Sequence, residues 1–169
     1  MKTSRLAVIV VALALSAGAA LLAYQSLGQR EIAPSVSYVL LDGVKVDSSQ
    51  WKGKVMLVNF WATSCTTCVE EMPQLVATHQ KFKARGFDTL GVAMSYDPPA
   101  FVANFAESRQ LPFGIAIDNT GEIARQFGRV QLTPTTLLIN KRGEIVKRYV
   151  GAPDFTALHA LVEKLLAET

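Results

Sequence analysis

Apolar and polar positions change rhythm several times along the chain, and each rhythm predicts an element. "SYVLLDGVKVDSSQW", Ser37 to Trp51, alternates around Asp42-Gly43, the signature of a β-hairpin. "KVMLVNFWA" follows as a continuous apolar run, which suits a strand buried on both faces. From Cys65 to Arg85 the apolar residues Val69, Met72, Leu75, Val76 and Phe82 recur at helical spacing until Gly86 stops them. Pro73 interrupts that helix and removes one N–H from its ladder, so a kink is expected there. "FDTLGVAMS" predicts a strand, "PPAFVANFAESRQ" a helix opened by prolines, "FGIAID" a strand and "GEIARQFG" a short helix. "TTLLIN" and "GEIVKRYVG" form a hairpin over Lys141-Arg142, and "DFTALHALVEKLLAE" is a closing helix with Asp154 as N-cap. Strands alternating with helices, then an antiparallel hairpin, predict an α/β domain with a mixed sheet.

A different pattern precedes this domain. Lys2 and Arg5 stand before an uncharged, largely apolar run from Leu6 to about Gln29. A helix needs about 20 such residues to span a bilayer. Cations ahead of the run keep the N-terminus in the cytoplasm and place all that follows on the extracytoplasmic side. The expected organisation is a single-pass anchor at 1–28, a linker at 29–34 and a domain at 35–169. A cleaved signal peptide is the competing reading, because Ala17-Gly18-Ala19 resembles a cleavage site. Of the 169 residues, about 140 remain for the domain, enough for one core. The chain carries a net charge of +3, but beyond the anchor 15 basic residues meet 14 acidic ones. Near-neutrality gives no support for a nucleic-acid surface.

The chemistry sits in "VNFWATSCTTCVEEMP", Val58 to Pro73, which holds both cysteines of the chain. They fall where the buried strand ends and a helix begins. The first N–H groups of a helix have no internal partners, and its dipole favours an anion there. A thiolate at that place has a pKa below the free value of about 8.5. Cys65 is upstream, nearer the loop and solvent; Cys68 is one turn on and reaches it at i,i+3. That suits a nucleophile and a resolving thiol. A structural staple is a poor alternative, since so short a loop contributes on the order of 2 kcal/mol, easily lost to strain. A metal site lacks ligands. The only histidines are His79 and His159, and His79 lies roughly 16 Å along the helix from Cys68 at 1.5 Å per residue. No metal or cofactor is called for.

"GKVMLVNFWATSCTTCVEEMP", "LPFGIAIDNTGEIARQFG", "LTPTTLLINKRGEIV" and "YVG", in this order, resemble the thioredoxin superfamily, and within it the membrane-anchored, extracytoplasmic TlpA/ResA-type thiol–disulfide reductases. The resemblance covers roughly Ser35 to Ala167. It implies a thioredoxin-like fold with an added N-terminal β-hairpin, a redox pair of Cys65 and Cys68, and a cis Thr133–Pro134 bond facing that pair. It further implies electrons from a membrane thiol transporter and exported protein disulfides as clients, apocytochrome c and copper-site thiols among them. Three residues depart from the usual pattern: Ser64 where Trp is common, Thr66-Thr67 between the cysteines, and Asn59 where thioredoxin has a buried Asp. Asn cannot titrate, so the proton of Cys68 needs another acceptor. Glu71, three residues past Cys68, is the candidate base; the bland alternative is a solvated first-turn acid.

Trp61 is expected to line the client groove with Thr133 and Pro134, whereas Trp51 is expected to pack. Tyr96 and Asp97 follow a strand's C-terminal end, where open α/β sheets bind ligands, so substrate contact and plain packing are both open for them. The combined expectation is a single-pass inner-membrane protein whose periplasmic domain reduces disulfides through the CxxC dithiol, during cytochrome c maturation for example. An oxidase or isomerase of the same fold and a copper-binding or copper-delivery protein are the rivals.

Overall fold

The computed structural model describes residue 18 and residues 31–168. The expected anchor at 1–28 and the start of the linker therefore lie outside the described residues, Gly18 apart. Among the described residues no helix is long and apolar enough to cross a membrane.

The hairpin forms as the alternation predicts: β1 (Ser37–Val39) pairs antiparallel with β2 (Lys45–Asp47). A 3₁₀ turn at Ser48–Trp51 leads to β3 (Val55–Trp61), whose seven residues are all buried. Then follow α1 (Thr66–Phe82), β4 (Phe87–Ala93), α2 (Pro99–Ser108), β5 (Gly114–Ile117), α3 (Glu122–Gln126), β6 (Thr135–Ile139), β7 (Ile145–Val150) and α4 (Phe155–Ala167). Five strands make one sheet in the order β5-β4-β3-β6-β7. β4 runs parallel to both β3 and β5, and β6 is antiparallel to β3 and β7, so the sheet is mixed.

β3 is central, and successive side chains take opposite faces. Met56, Val58 and Phe60 join the hairpin's Tyr38, then Trp51 and Phe127, in one core; Val55, Leu57 and Trp61 join α1, α2 and α4 in the other. Burial on both sides is why this segment reads as an apolar run in which Asn59 is the one polar residue. Trp51 packs as expected and donates its indole N–H to Tyr38 Oη at 3.0 Å. Gly91 in β4 is closely packed: a Cβ there would lie 2.6 Å from Ile115 Cδ1 and 3.2 Å from Trp61 Nε1, so a side chain at this position would have to displace its neighbours.

α1 runs unbroken through Pro73. It passes into a 3₁₀ turn that ends at Gly86, whose φ of 91° is the left-handed conformation glycine permits. Asp154 caps α4, accepting from the N–H groups of Thr156 and Ala157. Residues 31–33, expected as linker, are part of the domain. Ile145 N–H donates to Glu31 C=O at 2.7 Å and Ala33 N–H to Gly143 C=O at 2.8 Å. β7 is the last strand of the sheet, and its unpaired backbone groups recruit the passing segment.

Candidate active site

The turn between β3 and α1 places the sulfurs. Cys65 is the N-cap of α1 with extended backbone, φ −90° and ψ 104°. Its N–H donates to Ala62 C=O at 3.1 Å, and the N–H of Cys68 donates to Cys65 Sγ at 3.2 Å. The two residues are joined as a disulfide, with Cα atoms 5.2 Å apart. Cys65 is half-buried, whereas Cys68 has no exposed surface. One sulfur is open to attack from outside and is held by a helix-start N–H that also stabilises its thiolate. The other can act only on the first.

Glu71 shares the buried face of α1 with Cys68 and is 4 % exposed, which removes the solvated reading. Its Oε1 accepts from Asn59 Nδ2 at 2.9 Å, and the same amide donates to Thr136 Oγ1 at 2.9 Å. Glu71 Oε2 and Asn59 Oδ1 are buried without a hydrogen-bond partner. Burial pushes the Glu71 carboxyl up to about 7, against a smaller downward pull from the Asn59 hydrogen bond. A carboxyl poised near neutrality is suited to exchanging a proton with a neighbouring thiol. Asn59 does not replace an acid; it orients one.

The Thr133–Pro134 bond is cis. Phe60 pairs with Thr135, so the strand register brings Pro134 to the level of Trp61, at the end of the sheet that carries the cysteine turn. Pro134 C=O accepts from Gly151 N–H at 2.8 Å. The backbone N–H and C=O of Thr133 have no hydrogen bond among the described residues, and Thr133 and the exposed Leu132 form the outer part of this loop.

Trp61 does not line a groove. It has no exposed surface and packs on Phe105, with ring centroids 5.1 Å apart. As an odd-numbered β3 residue it points with Val55 and Leu57 into the core beneath α1 and α2. The Tyr96–Asp97 pair divides. Tyr96 is 56 % exposed, and its hydroxyl lies 3.2 Å from Thr133 Oγ1. Asp97 is buried; its two carboxylate oxygens accept from Thr63 N–H and Thr63 Oγ1–H, each at 2.6 Å. Sequence reasoning did not select Thr63 or Thr136, whose hydroxyls become meaningful only through partners distant in the chain.

The histidines stand elsewhere. His79 is buried with its ring 5.5 Å from that of Phe113, and burial holds its imidazole below the usual value despite Asp88 nearby. His159 packs on Phe82 at 5.3 Å and shares a hydrogen bond with Thr78 Oγ1 at 2.8 Å. Among the described residues no group of three or more His, Cys, Asp or Glu is placed to hold a metal ion.

A protein-family model described as Redoxin matches residues 28–164. Thiol-disulfide oxidoreductase ResA of Halalkalibacterium halodurans is 35% identical over 153 residues, which cover 89% of this chain and 85% of the relative. Its counterpart in Bacillus thuringiensis is 32% identical over 133 residues, covering 79% and 76%. Among solved structures, a thiol:disulfide interchange protein of the thioredoxin family from Chlorobium tepidum superposes with a TM-score of 0.76 at 28% identity, covering 83% of this chain and 99% of that one. With the accessible Cys65 and the buried Cys68 at the start of α1, these likenesses place the chain in the Redoxin family, as a TlpA/ResA-type thiol–disulfide oxidoreductase of the thioredoxin superfamily.

Proposed function

We propose that the chain is a membrane-tethered, extracytoplasmic disulfide reductase that acts on exported proteins, apocytochrome c among them, and is recharged by a membrane thiol transporter. The observation that carries the reductive cycle is the unequal burial of the two sulfurs, with Glu71 behind the inner one. In the dithiol form the Cys65 thiolate attacks one sulfur of a client disulfide. The client S–S bond breaks, a Cys65–client bond forms, and the departing client sulfur takes a proton. Cys68 then gives its proton to Glu71 and attacks Cys65 Sγ, which expels the second client thiolate, and that thiolate takes up a proton from solvent. The client gains two electrons and two protons, and the protein is left with the Cys65–Cys68 disulfide. The cations Lys2 and Arg5 before the apolar run support the outward placement of the domain.

The direction of electron flow is a matter of potential, because 30 mV corresponds to about 1.4 kcal/mol in a two-electron couple. The test is the reduction potential of the Cys65–Cys68 pair, measured with trapping. Cys65→Ser should abolish client reduction, and Cys68→Ser should accumulate mixed disulfides through Cys65. Turnover that survives Cys68→Ser would remove the resolving role. A potential near −120 mV, that of a strong oxidant, would replace reductase by oxidase. Stoichiometric copper binding by the reduced protein with no exchange activity would replace both by copper delivery.

A further inference from the structure

Tyr96 and Asp97 are consecutive residues that face two different parts of the site. Asp97 spends both carboxylate oxygens on Thr63, two residues before Cys65. Tyr96 meets Thr133, immediately before Pro134. The loop that carries them is short and restrained. It leaves β4 with Met94 N–H bonded to Trp61 C=O at 3.0 Å, turns through Asp97 N–H to Met94 C=O at 2.9 Å, and enters α2 through Pro98-Pro99. A displacement of Tyr96 therefore acts on Asp97.

We propose that Tyr96 and Asp97 work as one unit that couples client seating to the nucleophile: Asp97 is the positioning residue for the Cys65 turn, and Tyr96 is a client-facing residue at the Thr133 loop. The inference rests on the thiol–disulfide exchange reading above. Thr133 offers an N–H and a C=O with no other hydrogen bond to an extended client segment, as in strand addition. The exposed Tyr96 ring stands beside that place, and its hydroxyl bond to Thr133 registers whether the loop is occupied. At the other end of the unit, Thr63 starts the turn in which Cys65 N–H returns to Ala62. A buried carboxylate bonded to both polar hydrogens of one residue holds that turn in one position, and so holds Cys65 Sγ over the N–H of Cys68. When the clamp is lost, the sulfur is freed from the helix start and its thiolate loses stabilisation.

Two measurements on the full-length reduced protein test this. The rate of Cys65 alkylation against pH reads the clamp without any client. Thr63→Val removes one hydroxyl at nearly constant shape, and Asp97→Ala removes both acceptors. Each should slow alkylation at pH 7 by about three- to tenfold, the size of one net hydrogen bond, and move the inflection towards about 8.5. Asp97→Asn should recover most of the loss, because its amide can accept from Thr63 N–H while donating to Thr63 Oγ1. The second measurement is reduction of an extended peptide with one internal disulfide, beside a small aromatic disulfide. Tyr96→Phe should raise KM for the peptide by about three- to tenfold, more than for the small substrate, and this effect should shrink when Thr63→Val is also present. Alkylation profiles identical to wild type in Thr63→Val and Asp97→Ala, with only a lowered melting temperature, would make Asp97 a structural anchor and overturn the proposal. So would effects of Tyr96→Phe and Thr63→Val that simply multiply. If Asp97→Ala fails to fold, Thr63→Val decides. Failure of the exchange reading looks different: client reduction would persist in Cys65→Ser, whatever the alkylation profiles show.

Discussion

Replacing Glu71 by Gln should change the sign of a stability difference as the pH is raised. The native carboxyl titrates at about 7 against an ordinary value of 4.5, because burial disfavours its charged form. Between these two values the native state holds a proton that the unfolded chain has released, so stability falls as the pH rises through that window. At roughly 1.4 kcal/mol per tenfold difference in proton affinity, the full loss above pH 7 is about 3 kcal/mol. Gln cannot ionise and escapes it. Its Oε1 can still accept from Asn59 Nδ2, but its own N–H groups enter the place of Glu71 Oε2, which has no partner. Leaving them unmet costs about 1 kcal/mol. The variant should therefore be about 2 kcal/mol more stable than wild type at pH 8 and slightly less stable below pH 5, the curves crossing in between. Urea unfolding of the disulfide form at pH 4, 5, 6, 7 and 8 measures this directly. Parallel curves over that range would refute a raised Glu71. The same substitution should slow release of client from the Cys65 mixed disulfide about 10²-fold near neutral pH. An unchanged rate would assign the Cys68 proton to water and leave Glu71 a structural role.

Gly91→Ala should destabilise the fold by about 1–3 kcal/mol through overpacking, since its Cβ would meet Ile115 and Trp61; a urea midpoint equal to wild type would show that Ile115 yields freely. Mature protein taken from membranes should begin near Met1 by mass spectrometry if Leu6 to Gln29 is an uncleaved anchor; an N-terminus at Ala20 would make that segment a signal peptide and leave the chemistry of Cys65 untouched.

The frame of the domain was legible because its signals are local. A run of six apolar residues broken only by Asn59 could be satisfied only by a strand covered on both faces, and β3 is that strand. Asp154 and Gly86 announce helix ends through their own conformational preferences. The order of the sulfurs was legible for the same reason: the position of a residue within a helix's first turn follows from sequence alone. Contacts between distant segments were not. Alternation along β3 says that Trp61 shares a face with Leu57 but not whether that end of the face is open, and Phe105, 44 residues later, closes it. Glu71 lies on the stripe of Cys68, Met72 and Leu75, yet a charged residue on an apolar stripe near a helix start could equally have reached solvent; Asn59 draws it inward. Asp97 and Thr63 are 34 positions apart, and neither residue type has a pattern that selects the other.

The short segment Glu31–Ala33 has a consequence for self-association. It occupies backbone groups of Gly143 and Ile145 along the outer side of the β6–β7 hairpin. An uncovered strand edge is a template on which another chain can add. A domain released by cutting at Ser35 would keep both cysteines and its core but would lose this cover. It would then carry a sheet margin able to pair with a second molecule, at the start of the strand whose far end is Val150, 61 % exposed. The few residues at the start of the domain thus serve it as a guard against edge-to-edge assembly.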